Sequence, residues 1–317
     1  MRDASGLIAA EESHVSPTGE PKHTAASVGI AAIESLRPYQ WLKNALVFVP
    51  LAAAHRLAEI DRLGAAAHAF LAFSLCASSI YVLNDLWDAS ADRLHPHKRY
   101  RPIASGRLPH SWAIGLAFVL LVGAIATALP LGPRVAAVLG LYFALMVAYS
   151  LRLKAVVLLD ALVLAGGYAL RVVVGGLAVS IQPSPRLLAF CIFLFFSLAL
   201  VKRYAELALL RQRDGSATHA RAYLLEDQDF LVALGTASGI LSVLVLALYM
   251  STGNLERLYR SSQLIWLTCV LLLYWISHVW LTAHRGRMTD DPLVFAVKDR
   301  VSLTLIILMG VTAWLAV

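Results

Sequence analysis

The chain has 317 residues, of which 59% are hydrophobic and only 15% charged, with a mean hydropathy of +0.69. That balance excludes an ordinary soluble domain and makes the bilayer the solvent of most of the chain. The net charge of +7 is explained first by basic loops that fix membrane topology, and it implies no nucleic-acid partner.

In chain order, residues 1–30 are polar, hold Pro17 and Pro21, and carry Glu11, Glu12 and Glu20. They lack the basic start and apolar core of a signal peptide and read as a disordered cytoplasmic tail, leaving 31–317 as one membrane-embedded domain. Apolar segments able to cross ~30 Å of hydrocarbon as helices recur near 42–55, 64–84, 111–130, 134–151, 155–180, 186–201, 230–252, 261–283 and 301–317. The expected fold is therefore all-α, a polytopic bundle of about nine transmembrane helices. The first segment is the weakest, interrupted by Lys43, Asn44 and Pro50, and eight spans plus an interfacial helix is the other count. Runs this long and continuous do not suit barrel strands, which alternate over about ten residues. Cys76, Cys191 and Cys269 lie in separate apolar segments without metal-ligand spacing and read as packing residues.

Assigned to these spans, most of the 27 Lys and Arg fall on the side that also holds the N-terminus. The positive-inside rule makes that side cytoplasmic, in a plasma (inner) membrane, with the C-terminus outside. Asp85, Asp88, Asp92, Asp160, Glu206, Asp290, Asp291 and Asp299 gather at the same face, which topology alone does not explain.

The stretch YVLNDLWDASADRLHPHKRYRPIASGRLP, 81–109, holds the densest charge. On a helix continuing through it, Asn84, Asp88 and Asp92 stand at i, i+4 and i+8 on one face with Asp85 beside them. Carboxylates so placed repel one another unless a cation intervenes, and hard oxygen donors suit Mg²⁺ shared with a diphosphate. The loop that follows supplies Lys98, Arg99, Arg101 and Arg107, with Pro96 and Pro102 interrupting any helix, so cations reach the same phosphates. The plainer alternative is a solvated loop whose acids and bases neutralise each other.

Asp160 and Arg171 both lie inside the fifth span, where a charge is costly and a functional candidate by default. They are separated by ~16 Å along a helix, so each needs its own partner. Lys202, Arg203, Tyr204 and Glu206 end the sixth span, and Tyr149, Arg152 and Lys154 lie at the same membrane level in YSLRLK. Salt-bridged helix ends and topological decoration are the simpler readings of these two groups. Gly166, Gly167, Gly175 and Gly176 suit close helix packing.

NDLWDASAD resembles the first aspartate-rich motif of the UbiA-type intramembrane prenyltransferase superfamily, at Asn84, Asp85, Asp88 and Asp92. LRPYQWLKNALVF, NDLWDASADRLHPHKRYRPIASG, YSLRLK, KRYAEL and DDPLVFAVKDR extend the resemblance, over about residues 36–300, to its decaprenyl-phosphate phosphoribosyltransferase branch. A second D-x-x-x-D motif, with which the superfamily's prenyltransferases hold a prenyl diphosphate, is missing; the cationic KRYAELALLRQRDG stands between the sixth and seventh spans. The resemblance implies a Mg²⁺-dependent transfer of a phosphoribosyl group from 5-phosphoribosyl 1-diphosphate to a polyprenyl phosphate, for cell-envelope polysaccharide synthesis. Asn84, Asp85, Asp88 and Asp92 are the expected metal and catalytic residues. Lys43, Lys98, Arg101, Tyr149, Lys154, Asp160, Lys202, Arg203, Tyr204 and Glu206 are the expected substrate-binding set. Prenyl transfer to an aromatic or quinone-precursor acceptor is the alternative chemistry. A transporter is the alternative class, though it would want its ionisable residues near the midplane, where only Arg171 stands.

Overall fold

A computed structural model describes residues 25–212, 223–251, 262–288 and 291–316. Asp290 and residues 1–24 of the expected tail lie outside the described residues, and residues 25–30 of that tail are helical. Among the described residues the structure is helical with no strand: α1 (Ala25–Leu36), a 3₁₀ segment (Pro38–Phe48), α2 (Val49–Ala53), α3 (Ile60–Trp87), α4 (Ala89–Leu94), α5 (His110–Ala128), α6 (Pro133–Leu151), α7 (Leu159–Ala178), α8 (Pro185–Gln212), α9 (Gln228–Met250), α10 (Ser262–His284), α11 (Pro292–Lys298) and α12 (Arg300–Leu315). Seven helices, α3 and α5 to α10, are long and apolar enough to cross a membrane. The sixteen residues of α12 rise only about 24 Å.

The first apolar segment forms no spanning helix. Pro38 and Pro50 bracket a backbone wound with three residues per turn, much longer than the usual three or four residues of 3₁₀ structure. That period sorts the side chains into three ridges. Tyr39, Leu42 and Ala45 are exposed; Trp41, Asn44 and Val47 line the groove between α3 and α7; Gln40, Lys43 and Leu46 form the third ridge. Each groove residue is anchored. The Trp41 indole N–H donates to Ser78 Oγ (3.0 Å), the Asn44 amide donates to Ser74 Oγ (3.0 Å), and Val47 lies against Gly175. The 3₁₀ bonds satisfy most of this backbone internally, and α3 and α7 cover its inner ridge while the Tyr39 ridge stays exposed.

α7 is the central helix. Its Ala161, Ala165 and Val172 pack into a core made with α8, α9 and α10, while Val163 and Val174 pack into a second core with α3 and α6. Lipid tails are as apolar as these side chains, so association rests on close van der Waals fit, which small residues permit. At Gly175 a Cβ would overlap the Val47 carbonyl, and at Gly176 it would meet the Ile181 carbonyl, whereas Gly166 faces open space. The Gly175→Ala variant should accordingly lose about 1–3 kcal/mol of stability by overpacking. Gly166→Ala should be neutral or slightly stabilising. Thermal unfolding of the two variants in one detergent checks the contrast.

Candidate active site

The polar residues converge at one end of the bundle, where α1, α3, α6, α7 and α8 start or finish. α3 does not continue straight through the aspartate-rich stretch. It ends at Trp87, and α4 follows after Asp88 at φ −87° and ψ 0°. Backbone bonds from the Asp88 N–H to the Asn84 carbonyl (2.9 Å) and from Asp92 to Asp88 (2.8 Å) persist across this kink. The straight column of Asn84, Asp88 and Asp92 is therefore broken. Asp85 and Asp92, both buried, are bridged by Arg101 Nη1 at 3.0 and 2.7 Å, while half-exposed Asp88 turns to Lys154 at 3.1 Å.

Arg101 is carried there by a loop that is pinned to the bundle. Ile103 and Leu108 are 0% and 1% exposed and pack with Val82 of α3, Ala31 of α1 and Ala113 of α5. Arg37 completes this outer cluster. It adopts φ 52° immediately before Pro38, donates to Asp85 Oδ1 at 2.6 Å and lies over the Tyr81 ring. Lys98 is exposed at the rim on a short 3₁₀ turn.

A second cluster lies around Asp291, which caps α11 by accepting from the Leu293 N–H. Both Lys43, from the third ridge of the 3₁₀ segment, and Lys202, from α8, donate to its Oδ2, at 3.0 and 3.2 Å. Burial would push the Asp291 carboxyl up, but the two ammonium groups and the Leu293 N–H more than offset this and hold it below the ordinary carboxylate range.

The third cluster is sealed at its Arg203–Asp160 centre, with Glu206 at its accessible edge. Arg203, 2% exposed, donates to Asp160 Oδ2 at 2.6 Å, to Glu206 at 2.8 Å and to the Tyr149 hydroxyl at 3.3 Å. The Tyr223 hydroxyl donates to Asp160 Oδ1 at 2.6 Å and accepts from the Leu158 N–H at 2.9 Å. These residues tie α6, α7, α8 and the segment before α9 together. The Tyr204 hydroxyl points to the other side of α8, 3.1 Å from His284 Nδ1. Deeper still, Arg171 donates to Asn44 Oδ1 (2.8 Å), the Gly167 carbonyl (2.8 Å) and the Tyr142 hydroxyl (3.1 Å), with Phe73, Tyr142 and Tyr168 rings about 5 Å from its guanidinium. Asp160 and Arg171 thus each have their own partners, as their spacing requires.

Of the residues expected from sequence, the structure brings Asp85, Asp92 and Arg101 together, and Asp88 with Lys154. It places Lys43 with Lys202, and Tyr149, Asp160, Arg203 and Glu206 with one another. Arg37, Asp291 and Tyr223 were not singled out as site residues. Arg37 had a signal, a lone cation before a proline at the start of an apolar run. Asp291 carried the acid-before-proline pattern of a helix cap. Tyr223 had none.

For a metal ion the donor chemistry fits: three carboxylates, with Asn84 Oδ1 buried and unpartnered among the described residues. As they stand, no three acidic, histidine or cysteine side chains among the described residues converge closely enough to hold an ion, because cations occupy their oxygens.

Residues 45–296 match the UbiA prenyltransferase family, and the chain belongs to that family of membrane transferases. It is a multi-pass membrane protein. It is 32% identical over 293 residues to the decaprenyl-phosphate phosphoribosyltransferase of Mycolicibacterium smegmatis, covering 89% of this chain and 90% of that one. It is 35% identical to the nodulation protein NoeC of Azorhizobium caulinodans, over 86% of this chain and 89% of that protein. A match of the same identity to an uncharacterized protein of Sinorhizobium fredii covers 85% of this chain and spans 52% of that longer protein. Among solved structures, a UbiA homolog from Archaeoglobus fulgidus bound to GPP and Mg²⁺ superposes with a TM-score of 0.66 at 15% identity, covering 90% of this chain and 99% of that one.

The sealed cluster yields a stability prediction. Removing one partner, as in Asp160→Asn, should cost about 3–5 kcal/mol by leaving a buried guanidinium short of its counter-charge. The double variant Asp160→Leu with Arg203→Met should recover most of that loss, read by thermal unfolding of the single and double variants.

Proposed function

We propose that this protein transfers a phosphoribosyl group from 5-phosphoribosyl 1-diphosphate to a polyprenyl phosphate, releasing diphosphate, with Mg²⁺ as cofactor. The observation that carries this reading is the surplus of cations at the mouth. Arg37, Lys43, Lys98, Arg101, Lys154 and Lys202 outnumber Asp85, Asp88, Asp92 and Asp291, and a donor with a 5-phosphate and a 1-diphosphate meeting a lipid phosphate needs that surplus. A prenyl diphosphate alone brings less negative charge. The likeness to the mycobacterial-type phosphoribosyltransferase over nine-tenths of both chains supports the same choice.

Asp85, Asp88 and Asn84, with Asp92, would hold the Mg²⁺. When bound, the ion draws electron density from the leaving diphosphate. Arg101, Lys154 and Lys98 neutralise the donor's phosphates, and Arg37 holds Asp85 in place. An oxygen of the lipid phosphate attacks the anomeric carbon as the bond from that carbon to the diphosphate breaks, inverting the centre. The nucleophile is already anionic at neutral pH, so no general base is required, and catalysis rests on positioning and charge stabilisation. Tyr149, Glu206, Asp160 and Arg203 act by holding α6, α7 and α8 in register at the mouth. The mouth faces the cytoplasm of a plasma (inner) membrane, on the strength of the basic-loop bias, and the product is a pentose donor for cell-envelope polysaccharide.

Purified protein supplied with radiolabelled 5-phosphoribosyl 1-diphosphate and polyprenyl phosphate should place label in the organic-extractable lipid. Chelation should abolish the transfer and added Mg²⁺ restore it. Asp85→Ala and Asp88→Ala should each cut turnover at least about 100-fold in protein that still unfolds cooperatively. Label transfer only from a prenyl diphosphate to an aromatic acceptor would overturn the reading.

A further inference from the structure

The Lys43, Lys202 and Asp291 cluster differs from an ordinary ion pair. Two ammonium groups converge on one oxygen of one carboxylate, so these three residues carry a net positive charge, offset in part by Glu206 one turn along α8 from Lys202, in a partly buried place with side-chain exposures of 13%, 35% and 18%. A surplus charge removed from water is costly unless an anion joins it. The three residues come from three separate elements, the 3₁₀ segment, α8 and the start of α11.

Two phenols lie within electrostatic reach of the cluster. Tyr81, one helical turn inward from Asp85 on α3, feels the charge of Lys43, and Tyr168 of α7 feels that of Asp291. Among the described residues neither phenol has a hydrogen-bond partner. Tyr168 of α7 stacks on Phe195 of α8, the helix that also carries Lys202, with ring centroids 4.3 Å apart. The backbone that carries Lys43 is anchored by its neighbour Asn44, which is bonded to Ser74 and Arg171.

We propose that Lys43 and Lys202 form the seat of the acceptor lipid's phosphate monoester, and that the Asp291 carboxylate occupies this seat until the lipid arrives. The carboxylate is a poorer occupant than the phosphate, having fewer acceptor oxygens and less negative charge for the same two donors. It keeps the partly buried lysines satisfied when no lipid is bound. The lipid's incoming phosphate takes over the two ammonium groups, and the stacked rings of Tyr168 and Phe195 receive the first isoprene units. The identity of the lipid rests on the phosphoribosyl-transfer reading; the phosphate seat itself does not.

The two sides of the cluster predict effects of opposite sign. Equilibrium binding of radiolabelled polyprenyl phosphate to the full chain in detergent, with no sugar donor present, should weaken roughly tenfold or more in Lys43→Gln and in Lys202→Gln, each losing a charge-assisted bond. In Asp291→Asn, which keeps an acceptor for the Leu293 N–H, binding should tighten several-fold. Neutral polyprenol should bind equally to all four proteins. Weakening in Asp291→Asn comparable to that in the lysine variants would overturn the proposal, since misfolding or a direct structural role moves all three the same way. It would equally be overturned if the opposite-sign pattern appeared for ribose 5-phosphate and not for the lipid phosphate, which would assign the seat to the donor. If labelled transfer from 5-phosphoribosyl 1-diphosphate fails while the opposite-sign binding pattern holds, the transfer reading falls and the phosphate seat stands.

Discussion

Hydrocarbon offers no hydrogen bonds, and this one constraint orders the molecule from the midplane to the mouth. Arg171, deepest of the buried charges, is met by an amide, a backbone carbonyl, a phenol and three ring faces. Arg203 is met by two carboxylates and a phenol. The same requirement shapes the backbone. The 3₁₀ segment satisfies most of its backbone internally, α3 and α7 cover its inner ridge, and Gly175 lets it come near enough to be covered.

Satisfying the deep groups produces a gradient in how firmly the polar clusters are held. Arg203 and Asp160 are committed to each other and to Tyr223, and serve as a strut between helices. Toward the mouth the pairs become more accessible and shared: Arg101 divides itself between two aspartates, and Asp291 between two lysines. Shared pairs cost less to rearrange than sealed ones, because water and incoming phosphates can take over their partners. The sealed pair and the shared pairs thus lie only a turn or two apart on the same helices.

The aspartate-rich stretch shows how a kink changes chemistry. A straight helix would stack Asn84, Asp88 and Asp92. The bend at Asp88 instead pairs Asp85 with Asp92 around Arg101 and leaves Asp88 to Lys154. All three carboxylates remain at one mouth, with the Asn84 oxygen, unpartnered among the described residues, on the same stretch, while their neutralising cations are apportioned differently.

Composition and hydropathy by themselves determined the all-helical membrane fold, because only helices and closed barrels satisfy their backbone in lipid and the long continuous apolar runs do not suit barrel strands. The aspartate-rich stretch and the basic loop after it also marked the mouth, since that much charge in so apolar a chain stands out locally. The separation of Asp160 from Arg171 was legible too, being fixed by helical rise alone. The count of about nine was approximate: seven helices among the described residues are long and apolar enough to cross, and the first apolar segment, the weakest in sequence, is a 3₁₀ segment lying between α3 and α7. Only the tertiary structure decided which cation meets which acid. Asp291 reaches Lys43 across 248 positions and Lys202 across 89, and Tyr223 reaches Asp160 across 63. Pairings at such separations follow from how the helices pack, and local spacing carries no record of that.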